Sequence, residues 1–272
     1  MEHIDKFDIV ICIWPEDISI IEKQIEYTRK NILGFRNIYI IPFDEDFTLD
    51  GCITIKESEF PFSKETIKNI LKSERRNGWY LQQLLKFYSA FVIKDLLPNY
   101  LVLDADTFFL KPTRFIIDGK PAYNWSDEYN QYYFDHLERL DLDTKGNTYK
   151  MSGITHHMML NKDIITKLCN SIENKFKKNF YIVFIEELVI WVKVEETDKK
   201  DIYVRTFYNE GASEYEIYFN VLLKYYENKI ILRKLLFGNP GLNEELNTVD
   251  KVLNFWENQN IFDYISIHAY KR

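Results

Sequence analysis

The sequence is poor in the residues that interrupt or staple a chain. Its 272 residues include only 9 glycines, 7 prolines and 3 cysteines. So little Gly and Pro excludes a disordered, low-complexity or linker-rich architecture. Cys12, Cys52 and Cys169 are odd in number and far apart. That spacing excludes a disulfide frame or a clustered zinc site and predicts reduced core thiols of a cytoplasmic protein. Met1 to Lys6 lacks the basic start and apolar core of a signal peptide. No apolar run approaches the ~20 residues a membrane span requires. Basic residues are also in deficit, 35 Lys and Arg against 42 Asp and Glu, giving a net charge of −7. A nucleic acid partner is therefore not expected, because it needs a basic face to displace counterions.

Apolar and aromatic side chains are plentiful. Hydrophobic residues make up 46% of the chain, with 20 Phe, 19 Tyr and 5 Trp, enough to bury a full core at this length. Phe7 to Trp14 reads as a first strand with a wholly apolar centre. Asp17 is the expected cap of a helix carrying Ile18, Ile21, Ile25, Thr28 and Ile32, with Gly34 as its stop. Asn37 to Ile41 follows as a second strand. This β-α-β opening predicts a right-handed crossover and a parallel sheet. It also puts Trp14, at the end of the first strand, on the ligand-binding edge. Residues from Asp44 to Pro61 read as irregular. Helices are expected over Trp79 to Leu96, after the cap Asn161, and from Ser213 to about Tyr226. Phe262 to His268 is the expected last strand, and the charged stretches Lys175 to Asn179 and Glu195 to Asp201 read as solvated turns.

The most telling stretch is Leu101-Val102-Leu103-Asp104-Ala105-Asp106-Thr107. A buried strand ends here in two carboxylates one residue apart, where open α/β sheets present ligand-binding groups. Two such charges repel unless a cation lies between them, which points to a bound divalent metal. One helix upstream, Gly78-Trp79 opens a helix on which Gln83 and Lys86, spaced i, i+3, face one way. A large aromatic such as Trp79 at a helix mouth suits the face of a base or sugar. Met151 to Leu160 contains Ser152-Gly153 and the neighbours His156 and His157, which on a strand would point to opposite faces. In Asn209 to Glu216, Ser213 and Glu216 fit a capping box, leaving Glu214 free to project from the helix mouth. Tyr264, Ser266 and His268 share one face of the last strand, and the apolar residues between them share the other.

Taken in order, Gly78 to Gln83, Leu103 to Thr107, Gly153 to His157, Ser213 to Glu216 and Ile265 to Tyr270 carry a family likeness. They resemble a little-characterised family of GT-A-type glycosyltransferases found in large DNA viruses and bacterial surface-polysaccharide loci. The likeness runs from Phe7 to Tyr270. It implies one domain over 1–272 with the Rossmann-like GT-A fold: a mixed, mainly parallel central sheet flanked by helices. The half up to about residue 110 would bind nucleotide, and the half from about 111 would face the acceptor. The resemblance implies a nucleotide-sugar donor, expected to be a UDP-sugar, a glycan or other hydroxyl acceptor, and Mn2+ or Mg2+ as cofactor. It makes Asp104, Asp106 and His268 the metal ligands, with Asp104 also reaching the donor. Lys86, Gln83, Trp79, Trp14, Gly153 and His157 become donor-binding residues, and Glu214 the catalytic base.

Three rivals stay in view. A haloacid-dehalogenase-type phosphatase wants Thr or Val where Phe108 stands, and carries its acidic pair near the N-terminus. A GT-A-related nucleotidyltransferase would carry a Gly-rich basic loop after the first strand. A non-catalytic sugar- or nucleotide-binding protein would share the cleft but turn nothing over.

Overall fold

The computed structural model describes residues 6–142, 150–197, 200–207 and 211–269, and for 190–207 it describes the backbone alone. Asn209, Glu210 and Tyr270, named above, lie outside the described residues, as do residues 1–5. The centre is a five-stranded sheet formed by β1 (Phe7–Ile13), β2 (Phe35–Pro42), β3 (Ile53–Thr54), β4 (Asn99–Leu103) and β5 (His157–Asn161). Their order is β5-β4-β1-β2-β3. Val10 of β1 is in register with Tyr39 of β2 on one side and Val102 of β4 on the other, both parallel, whereas β5 runs antiparallel to β4. The parallel β1 and β2 follow the β-α-β reading, and the whole is the mixed, mainly parallel sheet that the resemblance implies. β1 is buried along its whole length, and so are Tyr100 to Leu103, because helices cover both faces.

The helices that matter for the site are α1 (Ile21–Asn31), α2 (Asn77–Val92), α3 (Lys162–Phe176) and α4 (Glu214–Tyr225). Asn161 caps α3 through its side-chain oxygen, which accepts from the N–H groups of Asp163 and Ile164. A smaller sheet joins Phe237–Gly238, Tyr264–Ser266 and Thr107–Phe109. Its antiparallel register sets Ser266 opposite Thr107, and the two hydroxyls are 2.7 Å apart. The N–H of Ile267 also donates to the carbonyl of Asp106 at 2.9 Å. The end of the chain is thereby stitched to the segment that carries the acidic pair.

Several elements differ from expectation. Asp17 caps no α-helix. Pro15, with its preset φ, opens a separate 3-10 turn over Pro15–Asp17, and the Asp17 carboxylate accepts from the N–H of Trp14 at 3.4 Å, so α1 begins only at Ile21. It ends at Asn31, and Ile32–Leu33 pairs as a short strand. α2 stops at Val92, not Leu96. The buried carboxylate of Asp8 draws the Leu97 N–H at 2.8 Å and Arg36 at 2.7 Å, pulling the chain out of the helix. The stretch from Asp44 to Pro61 is not wholly irregular: it adds β3 and a 3-10 turn at Glu57–Glu59. Glu195 to Asp201 is no simple turn: its described residues, Glu195 to Thr197 and Lys200 to Asp201, belong to the antiparallel strands Val189–Thr197 and Lys200–Phe207. The last strand is shorter than expected and buried on both faces. Ile265 and Ile267 pack in a second core with Phe108 and Leu253, while Tyr264 stacks on Phe109 and Phe237.

Candidate functional site

Parallel pairing brings the carboxyl ends of β1 and β4 side by side, so Trp14 and Asp104 leave the sheet at one edge. A tight turn follows β4, in which the N–H of Thr107 donates to the carbonyl of Asp104 at 3.1 Å and the N–H of Asp104 to that of His156 at 3.0 Å. The turn presents both carboxylates to a cleft of about 720 Å³. Trp14, Trp79, Arg76 and Tyr133 line its walls together with His156 and His268, and Lys86, Asp104 and Glu214 also line it.

The floor is a charged network. α2 projects Lys86, 3% exposed, whose ammonium donates to Oδ1 of Asp104 at 2.6 Å, to Oε1 of Glu214 at 2.6 Å and to the Tyr215 hydroxyl at 3.0 Å. Tyr215 donates onward to Oδ1 of Asp104 at 2.7 Å. Burial disfavours ionising Asp104, but the Lys86 charge and then His156 outweigh it, and its carboxyl stays below the usual carboxylate range. Burial alone would lower Lys86, yet the charges of Asp104 and Glu214 raise it well above an ordinary lysine. Glu214 is raised, by burial first, with Lys86 opposing. It does not project freely from the helix mouth as the capping pattern suggested: it is 5% exposed and tied to Lys86.

Asp106 lies on the outer side. Nδ1 of His268 is 2.9 Å from its Oδ2, and both side chains are 17% exposed. Nδ1 of His156 is 3.5 Å from Oδ2 of Asp104, the oxygen that Lys86 does not take. Burial works against a charge on His156, but Asp104 raises its pKa overall. Its Nε2 is buried, with no hydrogen-bond partner among the described residues. Asp104, Asp106 and Glu214 line one cleft with the ammonium of Lys86, so a further cation would relieve their repulsion. Carboxylates beside imidazole are donors that suit Mg2+ and Mn2+. The residues thus fit a divalent cation chemically. Among the described residues, however, no three His, Cys, Asp or Glu side chains converge as a ready-made cage.

The remaining expected residues separate into cleft and core. Trp14 and Trp79 do line the cleft. His157 does not: it is the first residue of β5, 2% exposed and boxed by Phe109, Phe115 and Tyr264. Burial pushes its pKa down to about 3. The cleft histidine is His156, whose φ of 61° turns the chain just before the strand. Gly153 is a packing residue. A Cβ there would lie 2.6 Å from both the Phe219 Cβ and the Tyr215 carbonyl oxygen, so α4 seats directly on it. Gln83 is buried and braces the approach to α4, donating to the Ala212 carbonyl at 3.2 Å and accepting from the Glu214 N–H at 3.1 Å.

The capping box is only half formed. The Ser213 hydroxyl accepts from the Glu216 N–H at 3.2 Å, but the Glu216 carboxylate turns inward. It accepts from the Ser152 hydroxyl at 2.7 Å, the Gly153 N–H at 2.9 Å and the Asn220 amide at 3.0 Å. Sequence reasoning missed Tyr215, Arg76 and Tyr133, and of the neighbours His156 and His157 it gave the donor site to His157. Tyr215 had a usable signal in its place beside Glu214, but the others are brought in from separate elements.

Residues 5–261 match the model of a family described as "Family of unknown function (DUF6492)", and the chain belongs to that family. No curated protein matches the sequence. Among solved structures, similarity extends to mouse xyloside xylosyltransferase 1 in its apo form, with a TM-score of 0.46 and 7% identity, covering 98% of this chain and 99% of the other. The galactosyltransferase LgtC, solved with donor and acceptor sugar analogues, gives a TM-score of 0.41 at 10% identity, over 96% and 86% of the two chains. The glycosyltransferase GlyE of Streptococcus pneumoniae TIGR4 gives 0.32 at 11%, over 97% of this chain and 54% of the other.

Proposed function

We propose that this member of the DUF6492 family is a GT-A-type glycosyltransferase that moves a sugar from a nucleotide-sugar to a glycan or other hydroxyl acceptor. One observation carries the reading. The pair Asp104 and Asp106 stands at the carboxyl edge of the sheet, with His268 2.9 Å from Asp106 and the rings of Trp14 and Trp79 lining the same cleft. Asp106 and His268, joined by the outer oxygen of Asp104, would hold Mn2+ or Mg2+. Such an ion supplies Lewis-acid stabilisation of a diphosphate leaving group.

The chain's own residues do the rest. Lys86 fixes Asp104 and Glu214 in place and adds positive charge beneath the diphosphate. Tyr215 locks the outward orientation of Asp104. Glu214 lines the cleft, and burial moves its pKa upward, towards the range in which a carboxylate removes an acceptor proton effectively. The indoles offer flat apolar faces to base or sugar.

The test is Asp106→Asn, which keeps shape and removes charge at a partly exposed position. Calorimetry with Mn2+ and release of nucleoside diphosphate from a panel of nucleotide-sugars are measured on both proteins. The variant is expected to fold, to lose most Mn2+ affinity and to lose transfer. Undiminished Mn2+ affinity with undiminished transfer refutes the assignment. A wild-type protein that binds nucleotide-sugar but transfers nothing is the non-catalytic binder.

A further inference from the structure

We infer that His156 is a further ligand of the cation in the cleft, so that the site sets two imidazoles beside its two carboxylates and favours transition-metal ions over Mg2+. The inference rests on the glycosyltransferase reading and goes beyond it by adding a ligand and naming the class of ion that the site selects.

His156 is held where such a ligand has to stand. Its carbonyl accepts from the Asp104 N–H at 3.0 Å, which ties its backbone to the turn carrying the acidic pair. Its φ of 61° is left-handed, a conformation that a residue other than glycine adopts at a cost and keeps where its surroundings enforce it. The ring consequently enters the cleft, while that of His157 enters the core. There Nδ1 of His156 is 3.5 Å from Oδ2 of Asp104, and its ring centre is 5.0 Å from that of His268. Nδ1 of His268 is in turn 2.9 Å from Oδ2 of Asp106. Adjacent ligands placed about 2.1 Å from one octahedral ion lie about 3 Å apart. Each histidine–carboxylate pair therefore stands near the spacing of neighbouring ligands, and the two pairs meet through their rings. Lys86 and Tyr215 take Oδ1 of Asp104, so Oδ2 is the oxygen turned towards an ion.

The second imidazole changes which ion fits. Mg2+ gives up water reluctantly and is usually held by one or two carboxylates, so four protein ligands suit it poorly. Imidazole nitrogen suits later transition metals, and affinity for nitrogen-containing sites rises from Mn2+ to Ni2+. Ni2+ is accordingly the sensitive probe of the ring, and Mg2+ the insensitive one.

The test titrates the whole chain calorimetrically with Mn2+, Ni2+ and Mg2+ and records pulsed EPR of the Mn2+ form. Wild type, His156→Asn and Asp106→Asn are compared, with metal-free melting as the check on folding. Asparagine tolerates the left-handed backbone, and its amide can still donate to Asp104. It therefore keeps any part His156 plays in holding that carboxylate and removes only the imidazole. Wild type is expected to show nitrogen couplings from two imidazoles. In His156→Asn one set should vanish, and Ni2+ affinity should fall at least about tenfold, a loss that follows even the removal of a partner outside the ligand shell. Mg2+ affinity should barely move, because water takes the place of the ring. Couplings from a single imidazole in wild type overturn the inference without recourse to a variant. So does Ni2+ affinity that is unchanged in His156→Asn, or that falls no further than that for Mg2+. If Asp106→Asn still loses Mn2+ in that case, the glycosyltransferase reading survives. Wild type that binds none of the three ions sinks both.

Discussion

Glu216 offers the sharpest test of the geometry beneath the cleft. It is 0% exposed, and its carboxylate takes three donors, from Ser152, Gly153 and Asn220. Burial still wins over those bonds and pushes the carboxyl from 4.5 up to about 7. A folded-state pKa above the unfolded one means that the fold favours the protonated acid. The corresponding stability is fully present below about pH 4.5 and is lost as pH rises through about 7. That displacement corresponds to roughly 3 kcal/mol across the window, as an order of magnitude. Glu216→Gln removes the titration. Its oxygen can keep Ser152 and Gly153, while Asn220, whose amide also donates to the Glu216 carbonyl at 2.9 Å, gives up that bond if it turns to accept, a cost that is the same at both pH values and cancels in the comparison. Urea denaturation of wild type and variant at about pH 5 and about pH 8 isolates the effect, since other titrating groups cancel in the difference. Glu216→Gln should gain stability relative to wild type as pH rises. Glu216→Ala should instead cost about 3 kcal/mol or more at either pH, because buried donors are stranded. A Gln-minus-wild-type difference that is the same at both pH values refutes the reasoning.

Two further outcomes follow from the same network and its neighbours. Lys86→Met strands the carboxylates of Asp104 and Glu214 in a buried floor and should cost about 3–5 kcal/mol in denaturant unfolding, part of it recovered by adding Glu214→Gln; a variant as stable as wild type would show that the network carries no such strain. His157→Phe should be neutral above about pH 7. Because burial lowers the histidine's folded-state pKa from 6.5 to about 3, wild type loses stability as pH falls below 6.5, and the variant should not. The phenylalanine protein should therefore melt later than wild type at about pH 5 with unchanged sugar transfer, and an earlier melt there would contradict the aromatic box.

The sequence by itself determined the sheet, several helices and the position of the acidic pair. These are local matters. Apolar runs such as Ile9 to Ile13 and Leu101 to Leu103 bury as strands in any α/β context, Asn161 and Ser213 cap their helices through their own side chains, and a carboxylate pair after a strand sits where the sheet ends. Tertiary structure decided which polar residues meet. Side-chain alternation allowed one of His156 and His157 to face the cleft, but only the turn at His156, with φ 61°, settled which. Ser213-x-x-Glu216 forecast a carboxylate folded back on its own helix. The open acceptor site was filled instead by Ser152 and Gly153, over 60 residues away, whose buried donors had no other partner. Glu214 likewise reads locally as a solvated charge at a helix mouth, yet Lys86 from α2 reaches it across the floor. A buried charge must find its counter-charge wherever the chain supplies one, and that partner is set by the packing of distant elements, not by spacing along the sequence.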